Sequence, residues 1–293
     1  MAPTYTISKN SLQLLQACLG LTSAPLSNEN LNDIVLIAID FENLENMKQD
    51  PIQDLDSQVG VAILDTKDLT PSRSRATIST VNFVTGSPSY CAATTKRFLF
   101  GKTVTIRQQD MRPNLEALVL RTRKNVLVGH DFRHDLNVLQ VLKFDLNTSI
   151  SGILDTQKIA AEMIPGVPLR LYNILEELRS PFRNLHNAGN DAYFTLQALV
   201  LLGIRSCSSG TLIRNDYQDR LTALQAITQS SILKRSDPQE KNRKKKLKRL
   251  QRNRKHQAKS WDIETQARIR AERAARRKEK ESDLEGLSGY EQS

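Results

Sequence analysis

Two carboxylates, Asp40 and Glu42, follow an aliphatic run in the stretch IAIDFEN. Side chains alternate across a β-strand, so both acids point to one side while Phe41 points to the other. Neighbouring carboxylates repel each other unless a cation or a proton lies between them. The pattern therefore indicates a divalent metal site or, more simply, a strand whose charged end lies in solvent.

Two later stretches place further acids where a helix is predicted to begin. In VGHDFRHDLNVL, Asp131 is the predicted N-cap of a helix and Asp135 lies about one turn further on. In HNAGNDAYFTLQAL, His186 lies in a loop and Asp191 opens a helix. Each has a simpler explanation, because the helix dipole favours acids in the first turn and a loop histidine can bond to backbone. Together they favour one shared site, since a single sheet can bring these ends together.

The elements that must position these residues can be read from hydrophobic periodicity. The predicted strands are residues 33–41, 58–64, 76–84, 125–130 and 153–154, and the predicted helices are 11–19, 115–122, 132–142, 169–178, 191–202 and 216–232. Gly203 is predicted to end the helix that Asp191 opens. Three antiparallel strands followed by strand–helix alternation predict an α/β fold, a mixed five-stranded sheet flanked by helices.

Charge is distributed unevenly along the 293 residues, whose net charge is +10. Residues 234–280 hold 20 Lys or Arg against 6 Asp or Glu, so the rest of the chain is mildly acidic. The predicted organisation is an N-terminal segment (1–30), one folded domain (31–205), a helix or linker (206–235) and a basic tail, disordered or helical (236–293).

The basic tail is expected to bind nucleic-acid phosphates without sequence preference. The candidate phosphate contacts are Lys241, Arg243, Lys244, Lys245, Lys246, Lys248, Arg249, Arg252, Arg254 and Lys255. Such a run also serves as a nuclear localisation signal or as a solvated tail, and the sequence leaves these alternatives open.

Several classes of protein and site are disfavoured. The three cysteines are widely spaced and form no CxxC pair, which argues against a disulfide framework or a zinc site. No secretory signal or membrane-spanning stretch is evident, so a soluble nuclear or cytoplasmic protein with no membrane partner is expected. The motif FGKT lacks the glycine of a phosphate-binding loop. Asp65 and Asp155, each in Leu-Asp-Thr, are interpreted as turn-forming and structural.

The stretches DFE, GHDFRHD and HNAGND resemble the three motifs of the DEDDh exonucleases, a branch of the ribonuclease H-like superfamily. The resemblance spans residues 31–203. Asp131 stands where the family usually has Asn, so this motif offers two aspartates as the ligand. The spacing favours Asp135. The resemblance implies that two Mg²⁺ or Mn²⁺ ions are held by Asp40, Glu42, Asp135 and Asp191. It also implies that His186 is the general base.

The resemblance implies a metal-dependent 3′–5′ exonuclease that hydrolyses RNA or single-stranded DNA by a two-metal mechanism. The stretches LVGHDFRHDL and NLHNAGNDA also resemble a fungal subgroup, the Gfd-type proteins linked to mRNA export. The alternative is a catalytically idle nuclease fold that binds nucleic acid or acts as an adaptor in RNA metabolism or mRNA export. No protein partner is indicated.

Overall fold

The computed structural model describes residues 10–22, 33–49, 51–69, 77–207 and 215–229, together with residue 271. The chain divides into two units, Met1–Ile232 and Leu233–Ser293, and every helix and strand given below lies in the first. The ten candidate phosphate contacts of the basic tail, from Lys241 to Lys255, lie outside the described residues.

One mixed sheet runs through the domain. Its strands are β1 (Ile34–Glu42), β2 (Ser57–Asp65), β3 (Ser79–Thr85), β4 (Thr103–Thr105), β5 (Lys124–Gly129) and β6 (Ile150–Asp155). In space the order is β4-β3-β2-β1-β5-β6, with β1–β2 and β2–β3 antiparallel and the other pairs parallel. The mixed α/β fold is confirmed, but the number of five strands is wrong. The additional strand, β4, has three residues, which are too few to show an alternating pattern.

The first strand, β1, lies near the middle of the sheet, between β2 and β5, and its aliphatic run is buried on both faces. Alternate residues enter two different cores, with Ile34, Leu36 and Ala38 in one and Val35, Ile37 and Ile39 in the other. The unbroken hydrophobic run predicted this burial, because a strand covered on both faces has no polar side.

Helices cover both faces of the sheet. They are α1 (Ser11–Cys18), α2 (Leu44–Met47), α3 (Pro88–Arg97), α4 (Met111–Ala117), α5 (Arg133–Val141), α6 (Thr156–Met163), α7 (Leu171–Glu177), α8 (Ala188–Cys207) and α9 (Asn215–Gln229). Residues of α1, α6, α7, α8 and α9 share the core of one face, and residues of α2, α4 and α5 share the other. This layering is the one expected of a sheet with two apolar faces.

The helices differ from the predictions in three places. Three helices, α2, α3 and α6, were not predicted, since α2 and α6 are short and α3 is mostly exposed. The helix predicted at 115–122 is α4, which begins earlier, at Met111, and ends earlier, at Ala117. The longest of these helices, α8, continues past Gly203 instead of ending there. A Cβ at Gly203 would lie 2.4 Å from Cδ1 of Leu19, the residue directly after α1. The glycine serves a close helix contact and not a helix stop.

Candidate metal centre

The C-terminal end of β1 presents Asp40 and Glu42 on the face of the sheet that α8 covers. Antiparallel pairing with β2 places Asp40 opposite Gly60 and Glu42 opposite Gln58. Phe41, between the two acids, is buried in the core of the opposite face. Both carboxylates therefore lie on one side of the strand, as its alternation requires.

Two glycines allow the first turn of α8 to approach the sheet closely. A Cβ at Gly60 would lie 1.9 Å from the Ala188 carbonyl oxygen, and one at Gly189 would lie 2.8 Å from Asn82 Cβ. The helix backbone therefore rests directly on β2 and β3, where any side chain at these positions would push it away. This close approach carries Asp191, in the same helical turn, over the end of β1.

Hydrogen bonds at the start of α8 fix the orientation of Asp191. Asn187 Oδ1 accepts from the Asn190 N–H at 3.3 Å, and Asp191 Oδ2 accepts in return from the Asn187 N–H at 3.1 Å. This reciprocal capping satisfies backbone donors that a helix start leaves without partners. Because one carboxylate oxygen of Asp191 is engaged in the cap, the other is available to the site.

The three acids Asp40, Glu42 and Asp191 converge. Each offers a carboxylate oxygen, and these oxygens all lie within 4.8 Å of one another. Hard oxygen ligands in such proximity fit Mg²⁺ or Mn²⁺, which are bound through carboxylates and water. The donor set therefore matches the metal chemistry expected from the sequence.

Asp135 reaches the same end of β1 from α5, on the opposite face of the sheet. Its buried Oδ1 accepts from the Phe41 N–H at 3.2 Å, and its charge contributes to raising the pKa of Asp40. Asp135 is not one of the three carboxylates that converge, and its Oδ1 is held by the Phe41 backbone N–H.

Asp131 is not the N-cap of α5, and that prediction is wrong. The N-cap is Phe132, which makes no side-chain cap bond. The Asp155 carboxylate at the end of β6 accepts from the Asp131 N–H at 3.1 Å and from the Phe132 N–H at 3.3 Å. With its backbone in the left-handed region, Asp131 instead lies 3.5 Å from the exposed Arg133 guanidinium. A neighbouring strand thus supplies the cap that sequence reasoning assigned to the adjacent residue.

The electrostatics of the acids show that they are crowded. Burial raises the pKa of Asp40 well above its usual value, and the charges of Asp191, Asp135 and Glu42 raise it further. Burial and the charge of Glu42 likewise raise the pKa of Asp191, and burial raises that of Asp135 to about 7. Burial also raises the pKa of Glu42, although nearby His186 and Arg97 oppose the shift. Burial and mutual repulsion thus favour the protonated forms of these acids, and a bound divalent ion would favour their charged forms instead.

His186 stands beside the acids on the loop before α8. Its Nδ1 lies 3.7 Å from Glu42 Oε1, its side chain is 90% exposed, and its backbone has a left-handed φ of 62°. The Arg97 guanidinium donates to the Leu185 carbonyl at 2.6 Å and so anchors this loop to the end of α3. An exposed imidazole next to buried carboxylates is accessible to a substrate that enters from solvent.

With this geometry described, the comparison with known families is decisive. The family model DEDDh_C, described as DNA polymerase III subunit epsilon-like, C-terminal domain, matches residues 35–202, which is more than half of the chain. The chain belongs to the DEDDh exonuclease family. The DEDDh exonucleases use divalent metals, and this member carries the acidic cluster that suits them. Family membership supports a nuclease function in general terms.

Comparisons with solved structures and with curated proteins say less about this DEDDh family member. A solved structure titled "Exonuclease X in complex with 5' overhanging duplex DNA" is similar, with 17% identity and a TM-score of 0.34 over 64% of this chain and 99% of that chain. No functionally curated protein matches the sequence. In the described part of the chain, no helix is both long and apolar enough to span a membrane.

Sequence reasoning missed two residues that support the site, Asn187 and Arg97. An Asn directly before a helix is a recognisable N-cap signal, so Asn187 could have been found from HNAGND. Arg97 had no such signal, because it meets the His186 loop through a contact between residues 88 positions apart. Asp65 and Asp155 accept from the backbone N–H two residues ahead, as structural residues do.

Proposed function

We propose that this protein is a metal-dependent 3′–5′ exonuclease that hydrolyses the phosphodiester bonds of RNA or single-stranded DNA. The convergence of Asp40, Glu42 and Asp191 within 4.8 Å, with exposed His186 beside them, carries this proposal. Family membership supports the nuclease reaction. The direction of attack and the choice of single-stranded substrates are part of the proposal.

The acids have distinct roles in this mechanism. Asp40, Glu42 and Asp191 would hold two Mg²⁺ or Mn²⁺ ions, and Asp135 would assist from the far side of β1. When bound, such ions lower the pKa of water and stabilise the negative charge that develops on the leaving oxygen. The carboxylates also restrict where the scissile phosphate can approach, since their own charge repels any phosphate that arrives without a cation.

His186 accepts the proton of the attacking water as general base. Its position on an exposed loop suits this role, because the imidazole can reach a substrate at the mouth of the site while Glu42 lies on its inner side. A positioned base of this kind contributes roughly 10²–10⁴-fold to a rate. The carboxylates keep the metal without the imidazole, so binding and proton transfer are separable in this chain.

The basic tail is proposed as a nucleic-acid arm that binds RNA or single-stranded DNA through phosphates, and as a nuclear localisation signal. Removing residues 236–293 is expected to weaken binding equally across sequences and to flatten the dependence of log K on log salt. Fluorescence anisotropy at several salt concentrations measures both quantities. An unchanged affinity and salt slope would show that the arm lies elsewhere. A place in the fungal Gfd-type subgroup is likewise proposed, from the sequence resemblance alone.

The activity can be tested with RNA and DNA oligonucleotides labelled at either end, incubated with and without Mg²⁺ or Mn²⁺. A 3′–5′ exonuclease shortens a 5′-labelled strand into a ladder and releases mononucleotides from a 3′-labelled one. Asp40→Asn is expected to be inactive, while the matched control Asp131→Asn, an exposed acid four residues from Asp135, keeps activity. Binding of both oligonucleotides without any metal-dependent cleavage would instead favour the catalytically idle binding or adaptor protein.

A further inference from the structure

Gln58 lies at the centre of the interface that joins β1, β2 and the first turn of α8. It pairs directly with Glu42 across the β1–β2 ladder, so the two side chains share the face that α8 covers. The residue is only 4% exposed. A buried carboxamide beside a cluster of carboxylates must have its hydrogen bonds satisfied by specific partners.

Backbone donors fix which way the Gln58 carboxamide faces. The Ala188 N–H donates to Gln58 Oε1 at 3.4 Å, and Asn187 Nδ2 donates to the same oxygen at 3.0 Å. Asn187 is itself oriented by a backbone donor, because its Oδ1 accepts from the Asn190 N–H. A backbone N–H can only donate, so both carboxamides have one permitted orientation. The oxygen of Gln58 therefore binds the start of the helix that contains Asp191.

The nitrogen of the same carboxamide reaches the other side of the site. Gln58 Nε2 donates to the Tyr90 hydroxyl oxygen at 2.9 Å, and Asn43 Nδ2 donates to that oxygen at 3.1 Å. Asn43 directly follows Glu42 in the chain and has a left-handed φ of 62°. A continuous chain of hydrogen bonds thus runs from the residue after Glu42 to the residue after His186. We call these four residues, Asn43, Tyr90, Gln58 and Asn187, the amide bridge.

We propose that Gln58 is a positioning residue that sets the separation of Asp191 and His186 from Glu42, and that the amide bridge acts through it. This role of Gln58 rests on the proposed function, because it concerns what holds the residues of that site at their separations. Gln58 makes no hydrogen bond to either carboxylate among the described residues. It acts on α8 through Asn187, which makes the cap that orients Asp191, and through Ala188, the first residue of the helix. Outer-shell partners of this kind typically change metal affinity or activity by about 10–100-fold when removed.

The competing explanation is that Gln58 only stabilises the fold, as any satisfied buried amide does. The chain offers a control of similar burial, Gln197, which is 5% exposed and lies further along α8; unlike Gln58, its buried Oε1 has no hydrogen-bond partner among the described residues. Gln197 Nε2 donates to the Thr228 carbonyl at 3.2 Å and so joins α8 to α9, away from the acids. Replacing each glutamine by methionine conserves length and volume while it removes the hydrogen bonds.

The test compares Gln58→Met with Gln197→Met in the full chain. Calorimetric titration with Mn²⁺ is expected to show about 10–100-fold weaker binding for Gln58→Met. Gln197→Met is expected to bind as the wild type does, even if its melting temperature falls. With an oligonucleotide substrate, Gln58→Met is expected to lower kcat with little change in KM. Wild-type Mn²⁺ affinity in Gln58→Met, or an equal loss in Gln197→Met, would overturn the positioning role.

Two further variants keep the proposal testable if Gln58→Met does not fold. Tyr90→Phe removes one hydroxyl of the amide bridge and is expected to weaken Mn²⁺ binding by about 2–10-fold, the worth of one hydrogen bond. Combining Tyr90→Phe with Asn187→Ala is expected to cost less affinity than the sum of the single changes, since both act through Gln58. If Tyr90→Phe left the Mn²⁺ affinity unchanged, or if the two single losses of affinity added up exactly, the amide bridge would not act on the site through Gln58. A wild type that binds Mn²⁺ but cleaves nothing refutes the proposed function alone, because the titrations still decide the role of Gln58.

Discussion

The two ends of β1 treat carboxylates in opposite ways. At the N-terminal end, Asp33 and Asp65 share the Arg123 guanidinium, with Arg123 Nε donating to Asp33 at 2.8 Å and Nη2 donating to Asp65 at 2.8 Å. Lys67 adds a further ion pair to Asp33, at 2.8 Å. These cations hold the pKa values of both acids below their usual range. The acids at this end are neutralised by the chain itself.

At the C-terminal end, the acids lack such compensation and their pKa values are raised. Among the described residues, the basic side chains that lower the pKa of this group are His186 and Arg97, and both act on Glu42; His186 carries a charge only when it is protonated. Burial raises the pKa values of Asp40 and Asp191, and the charges of neighbouring carboxylates raise them further. The comparison teaches that the same residue type is structural where the chain provides its counter-charge. Where the chain provides no counter-charge, we propose that a bound cation supplies it.

The largest expected effect is a difference in hydrolysis rate between a variant at the C-terminal end of β1 and one at the N-terminal end. Asp40→Asn should lower metal-dependent hydrolysis by roughly 10²–10⁴-fold, because it removes a carboxylate from the group that holds the metal. Asp65→Asn should keep the specific rate and lower the free energy of unfolding by about 1 kcal/mol, since it weakens the pair with Arg123. Rate assays and urea unfolding of both variants check this contrast. A similar loss of rate in both would remove the distinction between the ends.

His186→Ala tests whether the exposed imidazole at the C-terminal end acts in the reaction. The rate should fall by roughly 10²–10⁴-fold while Mn²⁺ and substrate still bind, because the carboxylates hold the metal. Protonation of the imidazole removes its ability to accept a proton, so wild-type activity should also decline in acid. Single-turnover rates and substrate affinities, measured side by side, distinguish the roles. A loss of affinity as large as the loss of rate would point to binding instead.

Much of the site could be predicted from short patterns, because each acid lies at an element boundary that local sequence marks. The strand of Asp40 and Glu42 has an aliphatic run before it, and Asp191 lies in the first turn of a long apolar helix that begins at Ala188, three residues before the predicted start. The amide bridge could not be predicted, since Gln58 and Asn187 are 129 positions apart and contact between them leaves no periodic signal. Tyr90 lies on α3, a helix without an apolar stripe.

The fold itself shows the same limit. Long, buried elements such as β1 were predicted within a residue or two, because hydrophobic periodicity records burial directly. The edge strand β4 was missed, and Gly203 was misinterpreted as a helix stop. In each case the deciding contact comes from a distant element: β3 for β4 and α1 for Gly203. Local sequence contains no information on which element will lie alongside.

Metal should stabilise the fold through the C-terminal end alone. An ion that binds only the native state adds RT ln(1 + [L]/Kd), or about 2.7 kcal/mol at a concentration of 100 Kd. Mn²⁺ or Mg²⁺ should therefore raise the melting temperature of the wild type and of Asp65→Asn, but not that of Asp40→Asn. Thermal scans with and without EDTA measure the shift. An equal shift in all three proteins would indicate a non-specific effect of the ions.

The sharpest comparison of the two ends is the pH dependence of stability without metal. At the C-terminal end the folded pKa values are raised, to about 7 for Asp135, so the native state binds more protons than the unfolded chain above about pH 4. The free energy of unfolding should then fall as pH rises from about 4 through 7, by up to about 1.4 kcal/mol per pH unit for each acid that is titrating. At the N-terminal end the pKa values of Asp33 and Asp65 are lowered. Their contribution should be present above about pH 4 and should be lost as pH falls below it.

Denaturation in EDTA at several pH values should show both losses of stability, one as the pH rises above about 4 and one as it falls below about 4. Asp40→Asn should flatten the loss between about pH 4 and pH 7 and should be more stable than the wild type at neutral pH, because one source of repulsion is gone. Asp65→Asn should flatten only the loss below about pH 4. If Asp40→Asn were instead less stable than the wild type at neutral pH in EDTA, the crowded acids would be compensated within the fold. The contrast between the two ends of β1 would then fail.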